Sequence, residues 1–77
     1  MKRKGNFDMV TIEKVDELWK RVTDGKGVEQ HNFAKLFLAT MKLAPYYEDL
    51  HKNWDETHAA TFCKMIEEKI IPAFGIQ

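Results

Sequence analysis

The chain has 77 residues, with 12 basic and 12 acidic side chains and a single cysteine, Cys63. That length makes one domain, and the balanced charge lacks the basic surplus with which nucleic-acid binders exploit counterion release. A lone cysteine excludes an internal disulfide and fits a reducing compartment, and no stretch approaches the roughly 18 apolar residues of a membrane span or the apolar core of a signal peptide.

These features predict a cytoplasmic protein with no membrane partner. Residues 1–10, with Lys2, Arg3 and Lys4 beside Gly5, read as a flexible N-terminal arm, and 11–77 as a single helical domain. The first helix is expected over 11–23. Ile12, Val15, Leu18, Trp19 and Val22 recur at three- and four-residue steps and so share one face. Thr11 suits the N-cap, and Gly25 supplies the positive φ at which the helix stops.

A second helix is expected over 29–43. Phe33, Ala34, Leu36, Phe37, Leu38, Ala39, Met41 and Leu43 make more than one apolar stripe, the pattern of a central helix packed on two or more sides. The other reading leaves Leu38 and Met41 on an exposed patch. Ala44-Pro45 then breaks the pattern, because a residue before proline is pushed away from helical angles. Pro45 suits the first position of a short third helix over 45–52, whose Tyr46, Tyr47 and Leu50 cover the edge of the core.

Asn53 and Glu56 have capping-box spacing and open a fourth helix over 54–71. Its buried stripe is Ala59, Phe62, Cys63, Ile66 and Ile70. Pro72 ends it, and Ala73 to Ile76 form an apolar tail that folds back. The expected fold is all-α, a compact bundle of four helices with the third one short.

The stretch ELWKRVTDGKGVEQHNFAKLF, Glu17 to Phe37, resembles an EF-hand. Trp19 and Val22 stand in the incoming helix, Asp24-Gly25-Lys26-Gly27 resembles the loop, and Val28 and Phe33 keep the family's five-residue spacing. The resemblance implies a helix–loop–helix corner of calcium-binding type, but a degenerate one. Calcium needs several oxygen ligands in a 12-residue loop closed by a bidentate glutamate, whereas Asn32 stands at the glutamate position and Lys26 within the loop. Tyr47 to Met65 is the candidate for the second hand of a pair; the alternative is an unrelated bundle with a glycine turn.

A second metal reading rests on His51, Asp55 and His58, spaced i, i+4 and i+7 with Glu48 one turn earlier. On one unbroken helix they would share a face, and imidazole with carboxylate suits zinc. The cap at Asn53 argues against it by breaking that helix. Catalysis has less to stand on. Serine is absent, Cys63 lies on an apolar stripe away from any base, and Gly25 and Gly27 lack the lysine and hydroxyl of a phosphate loop.

The resulting expectation is a small non-enzymatic protein-interaction module, regulatory or adaptor-like, without a cofactor. It would bind another protein or a second copy of itself through an apolar and aromatic patch drawn from Leu38, Met41, Tyr46, Tyr47, Trp54, Phe74 and Ile76. Metal binding is the alternative. A DNA-binding helix-turn-helix ranks below it, because the candidate helices carry Glu48, Asp49, Glu56, Glu67 and Glu68.

Overall fold

The computed structural model describes residues 10–77, and among them it contains helices and turns but no strand. Among the described residues there are three helices. α1 spans Ile12–Asp24 and α2 spans Phe33–Lys52, preceded by a single 3-10 turn, Gln30–Asn32. α3 spans Glu56–Met65 and continues through a π-helical turn, Ile66–Ile70, into a last α turn, Ile71–Phe74. The expectation for a flexible arm falls, apart from Val10, outside the described residues.

α1 forms as its sequence implies. The Thr11 hydroxyl accepts from the Lys14 amide at 3.2 Å, and Gly25 at φ 61° closes the far end by donating its amide to the Arg21 carbonyl. Between these caps Val15, Leu18 and Val22 are buried on one stripe. The turn that follows is tight. Gly27 has a φ of 90°, and a Cβ there would lie 2.8 Å from the Gln77 side chain, because the Gln77 amide donates to the Lys26 carbonyl at 2.8 Å. The chain's last residues are thus tied to the α1–α2 corner, with Ile76 buried beneath.

The helices expected over 29–43 and 45–52 are one. Pro45 sits inside α2, where it removes a donor to the Met41 carbonyl at a cost of about 3 kcal/mol. Local preference would break the helix, and tertiary packing overrides it. Leu36 and Leu43 before the proline and Leu50 after it are seven residues apart and all buried, with Tyr47 half-buried on the same side. At about 1.5–3 kcal/mol for a buried leucine, keeping Leu43 and Leu50 in line offsets the proline. Pro45 and Met41 are both exposed, so the orphaned carbonyl lies on the solvent side.

The expectation that the second helix is packed on two or more sides is also corrected: only the Leu36–Leu43–Leu50 side of α2 is buried. The cap of α3 is Asp55, whose carboxylate accepts from the His58 amide at 3.0 Å, and not Asn53, which closes α2 by donating its amide to the Asp49 carbonyl at 2.7 Å. A carboxylate at a helix N-terminus is favoured both as an acceptor and by the helix dipole.

Pro72 does not end the third helix at 71, because the π turn just before it opens the ladder. The Ile71 amide reaches back to the Ile66 carbonyl, and the wider turn makes room for the proline ring at the carbonyl four residues back. Gly75 at φ 65° then caps the end.

Replacing Pro45 distinguishes one helix from two. Pro45→Ala is expected to raise stability by about 1–3 kcal/mol in chemical denaturation of dilute protein, since it restores an interior helical amide. If Pro45 were the first residue of a separate helix, alanine would give no gain.

Candidate functional site

The core joins Val15, Leu18 and Val22 of α1, Leu36, Leu43 and Leu50 of α2, and Ala59, Phe62, Cys63 and Ile66 of the third helix, with Val28 and Ile76; it contains no buried polar or charged residue among those described. α2 has further apolar residues that this core does not use. Phe33 is 47% exposed, Phe37 64%, Leu38 58% and Met41 56%. Phe33, Phe37 and Met41 follow one another at four-residue steps, and Leu38 flanks them. At 3.6 residues per turn this stripe lies outside the one that faces the core. It borders a groove formed with Val22, Thr23 and Gly25 at the end of α1.

The structure divides the residues expected to form an apolar patch. Leu38 and Met41 lie together on the outer face of α2. Tyr46 is exposed but turned elsewhere, onto a cleft with His58, Thr61 and Met65 of α3. Trp54 is exposed in the α2–α3 corner, beside Val10, Ile12 and His51. Tyr47 and Phe74 pack against the core, and Ile76 belongs to it, so these three are not on a shared surface. Phe33 and Phe37 complete the exposed stripe and were not among the expected contact residues.

Tyr47 is held by the main polar cluster. Its hydroxyl donates to Asp16 Oδ1 at 2.7 Å, and His51 Nε2 lies 2.7 Å from the same oxygen. Trp19 stacks on the Tyr47 ring at a centroid distance of 4.8 Å and 14° between planes, and His51 meets the ring edge-on at 4.9 Å. The bond from Tyr47, followed by that from His51, holds the Asp16 carboxyl below the usual carboxylate range, while Asp16 pushes the Tyr47 hydroxyl up. The tyrosine proton is therefore retained and not released. The cluster acts as a clasp between α1 and the part of α2 beyond Pro45.

His51, Asp55 and His58 are not brought together. α2 ends at Lys52 and α3 starts at Glu56, so His51 turns to Asp16 while His58 stays beside Asp55, with 3.9 Å between Nδ1 and Oδ2. Among the described residues, no group of three or more His, Cys, Asp or Glu side chains could hold a metal ion. Cys63 is buried, and that burial, then the charge of Glu67, pushes its thiol up and keeps it protonated. No helix among the described residues is long and apolar enough to cross a membrane. Comparison with protein-family models, curated proteins and solved structures finds no match to the chain.

The clasp predicts a two-sided pH dependence. A depressed Asp16 contributes stability that is present above its unfolded value near 3.8 and lost as pH falls through the folded value. A raised Tyr47 contributes stability that is present below 10.0 and lost as pH rises through the folded value. The stability difference between wild type and Asp16→Asn, followed by urea denaturation, should therefore be largest between about pH 5 and 9 and shrink below about 4 and above about 10. A difference that does not change with pH would exclude the clasp.

Proposed function

We propose that the domain is a non-enzymatic protein-interaction module, regulatory or adaptor-like, whose contact surface is the outer face of α2. The observation that carries this reading is the exposure of Phe33, Phe37, Leu38 and Met41 side by side on one helix. Single exposed apolar residues are ordinary, but a contiguous apolar patch of several hundred Å² on a small domain is the kind of surface that binds a partner. Aromatic and methionine side chains suit the role, since they offer large contact area and adapt to the facing surface.

The polar groups support a structural assignment for the rest of the chain. Asp16, Tyr47 and His51 satisfy one another, and Asp55 is occupied as a cap. Regulation by binding needs none of them to be free. Tyr46 and Trp54 lie apart from the proposed surface and do not belong to it.

Recovery of a partner on the immobilised full chain, from an extract of the native host, tests this function. Phe37→Ala and Leu38→Ala are each expected to reduce recovery by about fivefold or more, the effect of truncating a central contact, with helicity unchanged. Trp54→Ala should leave recovery intact. Equal recovery by the wild type and both α2 variants would overturn the assignment.

A further inference from the structure

We infer that the outer face of α2 pairs antiparallel with the same face of a second copy of this chain. The inference rests on the interaction reading above and names its partner. Along α2, Ala34, Leu38, Met41 and Pro45 are spaced by four, three and four residues, the step pattern of a seam along which two helices pack. All four are exposed, and they lie on the side of the helix opposite Leu43. The seam exists only because α2 passes through Pro45 unbroken; two separate helices could not keep its four residues in line.

The order of side chains along the seam favours a copy of itself in the opposite direction. It runs from a small residue through two large ones to a compact ring. An antiparallel pair with its two-fold axis between residues 39 and 40 sets Ala34 against the partner's Pro45 and Leu38 against the partner's Met41. Each layer then joins unlike shapes, every layer is apolar, and the contact closes as a two-fold dimer with no residual seam. Phe33 and Phe37 flank these layers on one side. The arrangement also opposes the two helix dipoles, whereas a parallel pair would align them.

The available area suits a weak dimer. With side chains of roughly 200 Å², the exposed fractions of Phe33, Phe37, Leu38 and Met41 amount to a patch on the order of 400 Å². A standard interface takes about 800 Å² from each partner, so these four supply about half. Ala34, Pro45 and the stems of Lys35 and Lys42 border the patch and extend it. With equal numbers of acidic and basic side chains, two copies meet without net repulsion.

The full chain should sediment with a mass approaching twice 9.0 kDa as its concentration is raised to about 1 mM, a range that captures even weak association. Leu38→Asp should return it to a monomer with unchanged helicity. Orientation is read by mixing Ala34→Cys chains with Pro45→Cys chains under mild oxidation, while Cys63 stays buried and out of reach. The antiparallel register brings these two positions together and leaves two copies of position 34 about 16 Å apart at 1.5 Å per residue, so the mixed disulfide should form and the Ala34→Cys homodimer should not.

A monomer at every concentration overturns the inference, as does a dimer indifferent to Leu38→Asp or an Ala34→Cys homodisulfide without the mixed one. A monomer whose Leu38→Ala variant still loses a host partner removes the self-pairing and leaves the interaction function standing. If the chain is monomeric and partner recovery is also indifferent to the α2 substitutions, both fall.

Discussion

Leu36, Leu43 and Leu50 must stay in line along one rod, and that rod contains a proline. The packing of the domain follows from how this conflict resolves. α1 and the third helix close over the stripe from two sides, and each would lose half of its partner if α2 bent at Ala44-Pro45. The proline costs about 3 kcal/mol, an amount that two buried leucines and a half-buried tyrosine beyond it can offset. The clasp of Asp16 with Tyr47 and His51 depends on the same continuity, because both partners of the carboxylate lie past the proline.

A continuous α2 also has two faces, and the core covers only one. The inner face carries the three leucines, while the outer face presents aromatic, leucine and methionine side chains to solvent. No element among the described residues covers them. Residues 76 and 77 are already committed: Ile76 fills the core and Gln77 is bonded to the α1–α2 corner. Among the described residues this apolar surface of α2 therefore stays in contact with water.

α1 was legible in the sequence because its signals agree. Thr11, one apolar stripe and Gly25 all point to the same boundaries. α2 was not, because the rule that a residue before proline avoids helical angles is local, while burial of Leu43 and Leu50 is a tertiary term. The apolar count on this helix showed a surplus but not its direction. The signal that separates its faces is the heptad spacing of Leu36, Leu43 and Leu50, which leaves Leu38 and Met41 on the other side and Phe33 and Phe37 on the flank between. Asp55 outcompeted Asn53 as a cap, a choice between neighbours that spacing alone left open. The clasp was out of reach, since Asp16 and His51 lie 35 residues apart in the chain.

α2 has a packed inner face and an unpacked outer one, and paired alanine substitutions measure the difference between them. In chemical denaturation of dilute protein, Leu43→Ala should lose about 2–5 kcal/mol. Leu38→Ala, on the same helix and with the same change in side chain, should stay within about 0.5 kcal/mol of wild type. A Leu38→Ala loss equal to that of Leu43→Ala would instead place the outer face of α2 inside the core.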